Sequence, residues 1–172
     1  MKNFLLSAIL IVASFILQNT VCGYISFGDI VPNLLLITVS SFGFIKGKKA
    51  GVLAGFFAGI LVDIYFSQII GFHALLYMYI GYFNGFFKRL FYKDELKLQI
   101  LLVGCSDFVY GLFYYLLTFL LRGRFHFTYY LINIIIPETV YTILMTIVIF
   151  LIKTLFQKFF ISEDRKSKHE IV

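Results

Sequence analysis

The sequence predicts an all-α integral membrane protein built as a bundle of six transmembrane helices. Three observations carry that reading. Hydrophobic residues make up 60% of the 172 positions and charged residues 14%, with a mean hydropathy of +0.92. The apolar residues come in repeated runs close to the ~20 residues that cross a hydrocarbon core of about 30 Å. The basic residues are also sorted. With the N-terminus inside, thirteen of the fifteen lysines and arginines fall on the cytoplasmic side, and Arg122 and Arg124 fall outside. Such an asymmetry requires an even number of spans and places both termini in the cytoplasm. The net charge of +6 therefore reports membrane topology, and no nucleic-acid partner is read from it.

The first span is Phe4–Val21. It resembles a signal peptide in its single lysine and apolar run, but the run is long and no small-x-small cleavage site is evident, so it reads as a retained helix. The second, Ile30–Ile45, is short, at about 24 Å. Pro32 in its first turn costs no helix bond, and Asp29 can cap the free amides. Ser40, Ser41 and Gly43 mark a place where it could be irregular. The third, Ala50–Phe66, carries Gly51, Gly55 and Gly59 at intervals of four, and the next step of four is Asp63. On a helix these positions form one slowly drifting face, flanked by Ala50, Ala54 and Ala58.

The fourth span, Phe72–Phe87, follows Gly71. His73 stands at its start, within reach of Asp63 across a short outer loop, and Asn84 is a candidate for an interhelical bond. The fifth, Leu98–Leu121, holds Cys105 and Asp107. The sixth, Tyr129–Phe156, contains Pro137, which removes a backbone donor and predicts a kink, with Asn133 one turn earlier to serve the freed carbonyl. Tyrosines near span ends, among them Tyr24, Tyr65, Tyr92, Tyr129 and Tyr130, suit an interfacial belt. Residues 1–161 form one transmembrane domain, and residues 162–172 form a polar cytoplasmic tail expected to be disordered.

Two sets of residues are candidates for function. The first is a helix-docking groove of Gly51, Gly55, Gly59 and Asp63. Small side chains let a second helix approach closely where lipid offers no hydrophobic drive, and the occupant is either a neighbour in the bundle or a partner's helix. The second is the intramembrane acids Asp107 and Glu138. Each lies roughly 15 Å from its span's end, where a charge costs at least about 2.5 kcal/mol on insertion scales. Both are expected to face the bundle interior, as a structural hydrogen-bonded pair or as a proton relay. The sequence has no phosphate-binding glycine loop, no metal-ligand spacing and no serine–histidine–acid set. An enzyme is the weakest class, and no cofactor is implied.

The outer PNLLL at Pro32–Leu36, the GVLAGFFAGILVD at Gly51–Asp63 and the GFHALLYMYIGY at Gly71–Tyr82 resemble the MreD family of bacterial rod shape-determining proteins. The family pattern usually has an aspartate after the proline, where this chain has Asn33. Pro32, Gly51, Gly55, Gly59, Asp63, Gly71, His73 and Gly81 match. The resemblance implies a non-catalytic scaffold of the cell-elongation machinery in the bacterial cytoplasmic membrane. Its implied partners are a bitopic MreC-like protein, an MreB-like actin homologue, and the peptidoglycan polymerase and transpeptidase. It also implies a bundle similar to the substrate-binding component of energy-coupling-factor transporters. That gives the alternative function, a vitamin-transporter component, which would need an outer pocket with convergent polar groups.

Overall fold

The computed structural model describes residues 2–24, 30–67, 70–88, 96–118 and 127–169, with side chains as far as Thr154 except those of residues 2–4, 6, 22 and 23. Six helices follow in order: α1 (Lys2–Tyr24), α2 (Leu34–Lys46), α3 (Lys48–Phe66), α4 (Phe72–Phe87), α5 (Leu96–Thr118) and α6. The last opens as Phe127–Tyr130, passes through a π-helical turn at Leu131–Ile135 and continues as Ile136–His169. Helices α3, α5 and α6 as far as Thr154 are long and apolar enough to cross a membrane, while the apolar stretches Ser7–Val21 and Leu34–Lys46 are shorter.

Helix α2 is the centre of the bundle. It is only 13 residues long, about 20 Å, yet every other helix packs on it. Leu35, Leu36 and Val39 are fully buried, and Ile37, Phe42 and Phe44 nearly so. A helix that is apolar all round belongs inside its neighbours. Its start corrects the sequence reading. The helix begins at Leu34, not Ile30, because the backbone on either side of Pro32 is not helical and proline disfavours helix in the residue before it. Its N-cap is Asn33, whose Oδ1 accepts a bond from the Leu36 amide at 3.1 Å; Asp29 lies outside the described residues. The Ser40–Gly43 stretch is regular helix.

Non-helical backbone inside a membrane protein needs partners for its polar groups, and here side chains of other helices supply them. The Asn33 amide donates to Thr142 Oγ1 on α6 at 3.1 Å, and the Leu35 amide donates to Gln18 Oε1 on α1 at 3.0 Å. At the other end, Gly47 alone separates α2 from α3. Its φ of +98° lies where side chains are strained and glycine is not. The Lys88 ammonium donates to the Lys46 carbonyl at 2.8 Å, a cation placed at a helix C-terminus.

In α6 the sequence predicts a kink at Pro137. The structure puts the irregularity one turn earlier, as the π-helical turn, where the Ile136 amide donates to the Leu131 carbonyl. Asn133 donates to the Tyr129 carbonyl at 3.0 Å, while Thr139 Oγ1 donates to the Ile135 carbonyl at 2.8 Å. Cys105 is exposed on α5. The helical backbone of α6 runs on to His169. Tyr24, Tyr65 and Tyr129 are well exposed, as a belt requires; Tyr92 lies outside the described residues.

Candidate functional site

The glycine face of α3 is filled from within the chain. Its occupant is α4, in the closest helix pairing of the fold. A methyl group on Gly51 would collide with the Gly81 carbonyl, one on Gly55 with the Tyr77 carbonyl, and one on Gly59 with the Ala74 backbone. The contact is reciprocal, since a methyl on Gly81 would collide with the Gly51 carbonyl. At the Gly47 end of the pair, Gly85 lies against the Lys48 backbone and Gly43 of α2 against the Gly81 carbonyl. Backbone lies on backbone along the whole pair, which small residues permit and larger ones forbid. A partner's helix cannot reach this face while α4 occupies it.

Asp63 locks the end of the pair where α3 turns into α4. It is 1% exposed. Its Oδ2 accepts bonds from the amides of Gly71 at 2.9 Å and Ala74 at 3.1 Å. Its Oδ1 accepts from the His73 amide at 2.9 Å and lies 2.8 Å from His73 Nδ1. A carboxylate has no proton to give, so the ring's Nδ1–H is the donor. One side chain on α3 thus satisfies three backbone donors at the start of α4, the end of a helix where negative charge is favoured. Gly71, at φ +101°, supplies the left-handed turn that points those amides at Asp63.

The second constellation surrounds the start of α2. Asn33 Oδ1 accepts a bond from Tyr77 Oη on α4 at 3.1 Å besides the Leu36 amide. Tyr77 stacks on Tyr110 of α5, with centroids 5.2 Å apart and planes at 22°. Tyr110 in turn stacks on Tyr114 at 6.2 Å, and Tyr114 lies 5.6 Å from the His73 ring. An aromatic column therefore joins the Asp63–His73 lock to the Asn33 cluster.

Asp107, one turn before Tyr110, is 2% exposed and sits among Asn33, Thr139 and Thr142. Neither of its oxygens is in hydrogen-bonding geometry with a protein group. Glu138 is half-buried and close enough to Asp107, Tyr77 and Tyr110 for electrostatic coupling to each.

The structure thus brings Asn33, Asp107 and Glu138 together, and it groups Asp63 with Gly71 and His73 elsewhere. Pro32 is fully buried beside Asn33. Sequence reasoning missed Tyr77, Tyr110 and Thr142. Signals for all three were present: Tyr77 is one turn from His73, Tyr110 is one turn from Asp107, and Thr139, Thr142 and Thr146 recur at helical spacing on α6. Asn84 fulfils its expectation by donating to Ser106 Oγ on α5 at 2.8 Å.

A family model described as rod shape-determining protein MreD matches residues 1–160. The chain belongs to the MreD family. No curated protein and no solved structure gives a significant match. The family match covers both the Asp63 lock and the Asn33 cluster, so this MreD-family chain is an integral membrane protein whose matched region holds its whole described core.

Proposed function

We propose that the chain is a non-catalytic membrane scaffold of the cell-elongation machinery, spanning the cytoplasmic membrane six times with both termini inside. Its partners in this reading are a bitopic MreC-like protein, an MreB-like actin homologue beneath the membrane, and the polymerase and transpeptidase that extend lateral peptidoglycan. The match to the rod shape-determining family over residues 1–160 is the observation that carries it. The geometry is in keeping. Several buried polar groups fix helices to one another: Asp63 the start of α4, Asn33 α2 and Tyr77, and Thr142 the Asn33 amide. A rigid body with an apolar exterior is what a scaffold for other membrane helices needs. Because α4 fills the glycine face, the partner's helix docks on an outward face.

Depletion of the chain in its own host tests the reading. The expected result is rounding of cells and loss of lateral wall incorporation, restored by the wild-type chain. Retention of rod shape with a vitamin auxotrophy would contradict it and favour the transporter alternative.

A further inference from the structure

A groove runs along α2 between α1 and α6, with a volume of about 510 Å³. Its floor is the α2 row Leu34, Ile37, Thr38, Ser41 and Ile45, and its walls are apolar residues of α1 and α6. The hydroxyls and amide in it are already paired: Ser14 with Thr38 at 2.8 Å, and Gln99 donating to Ser41 at 2.9 Å. At one end stand Lys46 and Lys153. Lys46 donates to Ser7 Oγ at 3.0 Å and lies over the Phe42 ring at 4.3 Å, while Lys153 lies 5.8 Å from the Phe150 ring. Among the described residues neither has a carboxylate partner; the one ion pair found there is His73–Asp63. The groove is thus an apolar slot ending in two cations.

The lining separates the possible occupants: the apolar length along α2 takes hydrocarbon, and the two cations at its end call for an anionic head. A second groove of about 460 Å³ on the other side of α1 has Lys46 at its end without Lys153.

We propose that the α1–α2–α6 groove binds an anionic phospholipid of the cytoplasmic leaflet, with its chains along α2 and its phosphate between Lys46 and Lys153. The leaflet follows from the topology under "Proposed function", on which this inference rests; lipid preference is read independently of cell shape, so the two fail separately. Each lysine near an anionic membrane surface contributes enough for about a fivefold preference, and two for about thirtyfold.

The test uses the full chain in vesicles of equal palmitoyl-oleoyl phosphatidylglycerol and phosphatidylethanolamine, extracted in mild detergent and examined by native mass spectrometry. The expected result is retention of phosphatidylglycerol over phosphatidylethanolamine by about five- to thirtyfold. The preference should fall to parity in Lys46→Gln/Lys153→Gln and stay unchanged in Lys49→Gln, whose exposed lysine lines neither groove. Unaltered thermal melting of the double variant would exclude misfolding as the cause. Ile149→Trp, which fills the slot, should reduce retention of both lipids. Equal retention by the wild type would overturn the proposal, as would equal loss in Lys49→Gln or full preference in the double variant. Displacement of the lipid, one for one, by a co-expressed partner helix would also overturn it and assign the groove to protein.

Discussion

Asp63 carries the most specific prediction at the scale of single residues. It satisfies three amides and the His73 ring from a fully buried position. Asp63→Ala should lower stability by about 2–4 kcal/mol, since bonds to a charged acceptor are lost and buried donors are left bare. Asp63→Asn keeps one acceptor oxygen and should lose about half as much. His73→Phe breaks only the ring bond and should cost about 1–2 kcal/mol. Thermal melts in detergent should therefore place Asp63→Ala lowest, with Asp63→Asn and His73→Phe above it and close together. Asp107 should behave in the opposite sense. Its carboxyl lies among Asn33, Thr139 and Thr142 without close hydrogen-bond geometry; Asp107→Asn keeps an acceptor oxygen for those groups while removing a buried acid, and should leave the melting temperature unchanged or higher. A loss comparable to that of Asp63→Ala would contradict this. Asn33→Asp tests the same cluster from another side. A carboxylate there can still accept from Leu36 and Tyr77, but it places a third acid beside Asp107 and Glu138. A lower melting temperature is expected, with recovery when Asp107→Asn is added.

The α3–α4 pair is decided at the level of the helix. A leucine at Gly55 would have to displace the Tyr77 carbonyl, and backbone yields less readily than a side chain. Gly55→Leu and Gly81→Leu should each cost roughly 3 kcal/mol or more, at or above the usual overpacking range, and should make the purified protein unstable in detergent. A stable Gly55→Leu protein that has lost only its partner would contradict internal packing. The spacing of Gly51, Gly55 and Gly59 made this face legible in the sequence, and the Asp63–His73 bond could be anticipated because both residues flank one short loop. The occupant of the face was not legible. Small residues invite any helix, and the matching Ala74, Gly81 and Gly85 on α4 reveal themselves only once the antiparallel register is known. The start of α2 was misplaced because a proline suits a first turn as well as the segment before a helix; what decides is the capping of Leu36 by Asn33 and the bond from Asn33 to Thr142, 109 residues away. The clustering of Asp107 with Asn33 and Glu138 is likewise a product of tertiary packing, and depth alone could not supply it.

For the whole molecule, apolar side chains such as Leu75, Tyr79 and Phe83 on α4 and Leu101, Val109 and Phe113 on α5 face outward, as a bilayer or a partner's helix would require. The sorting of basic residues predicts that a single cysteine at position 90 is labelled only from the cytoplasmic side, in a chain lacking Cys22 and Cys105. Labelling from outside would remove the six-span topology. Affinity purification of the tagged chain from native membranes in mild detergent tests whether this bundle works among the proteins that elongate the cell. The expected result is co-purification of a single-helix MreC-like protein together with the elongation polymerase and transpeptidase. Recovery of a transporter ATPase module in their place would contradict it.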